Sequence, residues 1–222
     1  MISYKQIEKD GNVIDLAKIL QPSGIKKILS LLCEAYDELY TSKKININMD
    51  ETKINEEFSV IIIKIFGHKV SSFKIKDKQL IPLPSKPVGK NKKIGKFPEI
   101  DICFRDEIES ESFFGIECKI LREDKKQNYT YYISKGVNRY LKGIYKGKCS
   151  HSSMVGYIIK GEKKDVIREI ESRMNKISTI SPFKLSYKIN EFNDHYVSIH
   201  KLSFINNDFH IHHLFFNFMY DN

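Results

Sequence analysis

Apolar residues recur along this 222-residue chain with two different periods, and the switch between them lays out an architecture. Val13, Leu16, Ile19 and Leu20 are spaced for a short amphipathic helix within residues 1–22, which Pro22 is expected to stop. Ile25, Ile28, Leu29, Leu32, Tyr36 and Leu39 predict a helix over 23–40, and Ile54, Phe58, Ile61, Ile62 and Ile65 another over 52–66. Residues 71–83 alternate enough for an edge strand or hairpin arm, after which Pro82, Pro84 and Pro87 are expected to break regular structure. Two strands joined by an acidic turn are then expected over 97–104 and 113–121. In the first, Ile100, Ile102 and Phe104 form an apolar row with Asp101 opposite. In the second, Phe114, Ile116, Cys118 and Ile120 point one way, Glu117 and Lys119 the other.

Beyond this hairpin, Ile133, Val137, Tyr140, Leu141 and Ile144 predict a helix over 129–145. Gly136 and Gly143 would sit inside it at about 1 kcal/mol each relative to alanine, which points to close packing there. A short apolar strand is expected over 152–161 and an amphipathic helix over 165–177, through Val166, Ile167, Ile170, Met174 and Ile177. Two strands follow over 195–204 and 208–218, with a turn at Asn206, Asn207 and Asp208. Strands interleaved with helices indicate an α/β fold. The length suits one such domain over 47–222 behind a helical N-terminal extension over 1–46.

Composition narrows the partners. A formal charge of +9 favours a polyanion such as nucleic acid. No apolar run approaches a membrane span, and the first residues lack the apolar core of a signal peptide. Cys33, Cys103, Cys118 and Cys149 are scattered without a Cys-x-x-Cys pair, so a reducing, cytoplasmic setting is expected, with neither a disulfide framework nor a zinc knuckle. Residues 79–98 hold no acid, and Lys86, Lys90, Lys92, Lys93 and Lys96 crowd them, as in a solvated loop or a phosphate-contacting one. Arg139, Lys142, Lys146 and Lys148 make the 129–145 helix and its end basic, which suits phosphates and equally the helix dipole.

The hairpin carries the candidate chemistry. Paired strands bring Asp101, Glu117 and Lys119 to one side, and Glu57, at the edge of the apolar face of the 52–66 helix, can add a third carboxylate. Carboxylates hold Mg²⁺, and a lysine beside them positions a water and offsets charge building on phosphorus. The alternative is a polar sheet face. Pro98, Glu99, Ile100 and Asp101, then Glu117, Cys118 and Lys119 fifteen residues on, resemble the signature of the PD-(D/E)xK nuclease superfamily. Here Glu99 and Ile100 stand between Pro98 and Asp101. The resemblance covers residues 50–170 or so and extends to Tyr132, Gly136, Arg139, Tyr140, Gly143 and Tyr145, with Gly156 and Tyr157 beyond. It implies a restriction-endonuclease-like αβββαβ core with a central mixed sheet flanked by helices. It also implies Mg²⁺ (or Mn²⁺) on Asp101, Glu117 and the Cys118 carbonyl, Lys119 as the catalytic lysine and Glu57 as the helix carboxylate. The implied activity is an endonuclease on nucleic acid, DNA ahead of RNA, in restriction or phage defence, as a homodimer or beside a partner subunit such as an ATPase. A non-catalytic nucleic-acid-binding or assembly subunit that keeps the fold is the alternative. His210 and His212 share a strand face where they can bind a transition metal or form an incidental polar face, and His200 is either a phosphate contact or a packed histidine. No Walker-type loop or nucleophile elbow is present.

Overall fold

The computed structural model describes residues 16–75, 78–87, 99–106, 113–145, 149–177, 179–203, 205 and 207–220. Helix α1 (Leu16–Ser42) runs unbroken through Pro22. Leu16 and Leu20 before the proline and Ile25, Ile28, Leu29 and Leu32 after it are buried in one cluster. That shared burial outweighs the roughly 3 kcal/mol that proline costs inside a helix. The stop expected at Pro22 is therefore absent, and Val13 lies outside the described residues. Helix α2 (Glu51–His68) starts at Asp50, whose side chain accepts from the Lys53 N–H at 2.9 Å, and it buries Ile54, Phe58, Ile61 and Ile62.

Among the described residues eight strands form one sheet in the order β1-β2-β3-β4-β5-β8-β7-β6. β1 (Lys74–Ile75), β2 (Lys78–Pro87), β3 (Glu99–Asp106) and β4 (Phe113–Arg122) are successively antiparallel. β5 (His151–Lys160) lies parallel to β4, and β8 (Phe209–Asn217) parallel to β5. β7 (His195–His200) and β6 (Ser181–Leu185) complete the sheet antiparallel. β2 runs through the prolines expected to break it. Among the described residues β1 reaches only Lys78 and Gln79, so β2 is an edge from there on, and Pro82 and Pro84 turn their missing N–H groups to the same side. β6 escaped the sequence pattern because only Phe183 in it is buried, leaving no alternation to read.

Helices cover both faces of this mixed α/β fold. α1 and α2 share one hydrophobic cluster with Ile102, Phe104, Phe114, Ile116, Cys118, Val155, Leu214 and Phe216. On the other face lie α3 (Lys126–Tyr131), a π-helical turn (Tyr132–Val137), α4 (Asn138–Leu141) and α5 (Lys163–Met174). The helix predicted over 129–145 is thus this α3–π–α4 run, which stops at Leu141. Gly143 takes φ +64°, its N–H bonds Tyr140 O at 2.9 Å, and the Ile144 N–H bonds Arg139 O at 2.9 Å. Gly143 is the left-handed stop rather than an interior residue. Among the described residues no helix is long and apolar enough to cross a membrane.

Candidate functional site

Alternation fails at one point of the hairpin, and the site is built there. Ile102 packs in the cluster under α1 and α2, as the pattern requires, but Ile100 packs in the opposite cluster. There its Cδ1 fills the space beside Gly115, 2.4 Å from where a Cβ would stand. The β3–β4 ladder runs from Arg105 opposite Phe113 to Ile102 opposite Ile116. Past that pair, side chains take the place of the departing strand. Asp101 Oδ2 accepts the Cys118 N–H at 2.7 Å, and Glu51 Oε2 accepts the Ile120 N–H at 3.3 Å. Two carboxylates thus satisfy backbone donors two residues apart on one edge of β4.

Between them stands Lys119. Its ammonium lies 2.6 Å from Glu51 Oε1, 3.0 Å from Glu117 Oε1 and 3.9 Å from Asp101 Oδ2, and it donates to Cys118 O at 2.5 Å. The side chains of Glu117 and Lys119 are 2% and 9% exposed, so this is no solvated sheet face. β4 is a central strand covered on both sides, where a charge persists only with partners. Glu117 has further ones. Arg139 Nη1 donates to its Oε1 at 3.2 Å, and the Tyr145 hydroxyl donates to its Oε2. Arg139 Nη1 also donates to the Tyr145 oxygen at 2.8 Å.

Electrostatics follow from three carboxylates sharing two cations in partial burial. Burial, then the charge of Glu117, pushes the Asp101 carboxyl up to about 7, against the opposing pull of Lys119 and the Cys118 N–H. Burial raises the Glu117 carboxyl too, although Lys119, Tyr145 and Arg139 oppose it. Burial by itself lowers the Lys119 ammonium, but Glu117, Asp101 and Glu51 more than offset this and hold it above its ordinary value. Lys119 therefore stays charged while the surplus negative charge falls on the carboxylates.

The structure brings Asp101, Glu117, the Cys118 carbonyl and Lys119 together. It does not bring Glu57, which pairs with Lys44 at 3.3 Å on the surface. The helix carboxylate at the site is Glu51, in the first turn of α2. The sequence pattern missed it because amphipathic periodicity reports which face packs, and Glu51 reaches β4 from the end of the helix. Arg139 contacts Glu117 rather than standing apart on a basic helix face, and Lys142 is exposed. Lys86 lies in β2. Lys90, Lys92, Lys93, Lys96 and Lys146 lie outside the described residues.

Oxygen donors are the kind that hard divalent cations take. Carboxylate oxygens from Glu51, Asp101 and Glu117, with one backbone carbonyl, already surround a cation, the Lys119 ammonium. Among the described residues no three His, Cys, Asp or Glu side chains stand ready-arranged around a metal position. Of the histidines expected on a strand face, His212 is buried in the sheet and His210 is half-buried. His212 Nε2 is 2.9 Å from His151 Nδ1, and His212 Nδ1 is 3.1 Å from His195 Nε2. His210 stacks on His151 with centroids 4.4 Å apart, and His200 Nε2 is 2.9 Å from Ser198 Oγ. Compared with known proteins, the chain matches no protein-family model, no curated protein and no solved structure.

Proposed function

We propose that this protein is a divalent-cation-dependent nuclease hydrolysing phosphodiester bonds of DNA, with a PD-(D/E)xK-type core and a role in restriction or phage defence. One observation carries the reading: Glu51, Asp101, Glu117 and the Cys118 carbonyl converge on Lys119 at the fork where β3 leaves β4. The order of elements supports it, with α2, then antiparallel β2, β3 and β4, then a helical run, then β5 parallel to β4.

Asp101, Glu117, Glu51 and the Cys118 carbonyl would hold the cation. Bound there, Mg²⁺ or Mn²⁺ would polarise a phosphoryl oxygen and lower the pKa of an attacking water. Lys119 keeps its proton at neutral pH, so it donates to the phosphate or orients that water and does not act as a base. Asp101 gives up its proton when a second positive charge arrives beside it.

One observation favours a non-catalytic nucleic-acid-binding subunit instead: both Glu117 oxygens are already engaged, by Lys119, Arg139 and Tyr145. Incubation with plasmid, linear DNA and RNA in Mg²⁺ or Mn²⁺ separates the two. The nuclease reading expects metal-dependent cleavage that falls about 10²-fold or more in Asp101→Ala, Lys119→Ala and Glu51→Ala, while Glu57→Ala cleaves like the wild type. Cleavage that survives Asp101→Ala and Lys119→Ala unchanged, or is absent from the wild type, sinks it.

A further inference from the structure

Arg139 occupies an unusual position for a residue on a basic helix. It follows the π-helical turn, a distortion that recurs at functional sites because the added residue re-aims the side chains after it. Gly136 within that turn lets the helix lie against β4 and β5. A Cβ there would stand 2.3 Å from Met154 Cε and 3.8 Å from Glu117 Cγ. The stop at Gly143 then folds Tyr145 back on Arg139. In a continued helix, six residues would put the two about 120° apart around the axis. Instead the Tyr145 hydroxyl accepts from Arg139 Nη1 at 2.8 Å while donating to Glu117, and the guanidinium carbon stands 5.8 Å from the Tyr145 ring centroid.

One nitrogen of the guanidinium, Nη1, is therefore fixed by two acceptors. Nε and Nη2 have no hydrogen-bond partner among the described residues, and the Arg139 side chain is 32% exposed. A planar fork pinned at one corner beside the carboxylates and open at the other is matched to the two oxygens of a phosphate. A purely neutralising partner for Glu117 needs only charge, which Lys119 already supplies at 3.0 Å.

Building on the nuclease reading, we propose that Arg139 is a catalytic residue that binds the non-bridging oxygens of the scissile phosphate through Nε and Nη2, with Tyr145 as the positioning residue that fixes its plane. The substrate class this selects is a phosphodiester presented at the fork. Arg139→Ala, Arg139→Lys and Tyr145→Phe are compared with the wild type by three measurements. These are Mn²⁺ binding by calorimetry, affinity for a short labelled DNA duplex in Ca²⁺, and kcat and KM for the same duplex in Mg²⁺. The expected result is that both Arg139 variants lose about 10²–10³-fold in kcat while binding Mn²⁺ within about threefold of the wild type. Both also lose the part of the duplex affinity that Ca²⁺ confers. Tyr145→Phe loses about tenfold in kcat with little change in KM, because it loosens the fork without removing it. Wild-type rates in Arg139→Lys, or Mn²⁺ affinity falling in step with kcat in Arg139→Ala, overturn the proposal and leave Arg139 as a charge partner of Glu117. A wild type that binds Mn²⁺ and duplex but cleaves nothing removes the nuclease reading. In that case the duplex affinities alone decide on Arg139: unchanged affinity in Arg139→Ala overturns its phosphate role, and a loss in both variants sustains it.

Discussion

Asp101 holds two offices at once, and they compete. Its Oδ2 accepts the Cys118 N–H that a strand partner would otherwise take, while its charge sits near Glu117 in partial burial. The first favours an oxygen at that point and the second opposes a negative one. Because the folded carboxyl is raised from 3.8 to about 7, its contribution to stability is complete below the lower value and lost as pH rises through the upper one. Asp101→Asn keeps an acceptor for the Cys118 N–H but cannot ionise. In melts of the metal-free protein its stability advantage over the wild type is expected to widen as pH climbs from 3.8 towards about 7. A difference that stays flat across that window means Asp101 is not held as described. The motif residues Asp101, Glu117 and Lys119 were legible as types at a spacing. That Asp101 sits where β3 separates from β4 was not, because the slip depends on Ile100 crossing to fill the space over Gly115.

At the scale of elements, helix ends matter more to this site than helix faces. Glu51 reaches Lys119 and the Ile120 N–H from the first turn of α2, and the Asp50 cap holds that turn. Asp50→Ala is expected to cost about 1 kcal/mol of stability and to cut cleavage severalfold, although Asp50 touches no part of the centre. Asp50→Ser should restore both. Loss of stability with full cleavage would show that Glu51 does not depend on its turn. The same logic explains why Glu57 was the natural choice from periodicity: it borders the packed face, but its carboxylate ends at Lys44 on the surface. A cap and an end-on approach leave no periodic trace in a sequence.

Across the whole molecule, six of the seven histidines gather on β5, β7 and β8, on a stretch of sheet the candidate centre does not use. Burial holds His212 and His213 well below 6.5, and the histidines around each add to the effect. A base whose folded pKa is depressed contributes stability that is present above the unfolded value and lost as pH falls below it. The wild type should therefore lose melting temperature relative to His212→Gln as pH drops below 6.5. An equal slope in the variant would mean the cluster is protonated in the folded state. This acid-side slope opposes that of Asp101, so the two are separable only through their variants.

Several features followed from the chain alone: the α/β class, the helices around residues 25–39 and 54–66, the strands at 113–121 and 152–161, and the placing of Glu117 and Lys119 on one side of a strand. Each reflects a local period, 2 or 3.6, that burial on one face imposes on neighbouring residues. Tertiary structure alone decided the rest. Whether Pro22 breaks a helix depends on the energy of the apolar residues packed on either side of it, and whether Pro82 and Pro84 break a strand depends on which edge lacks a partner. Tyr145 meets Arg139 because of one left-handed glycine. The third carboxylate is Glu51 rather than Glu57 because Lys119, 68 residues away in sequence, lies off the end of a helix and not against its side.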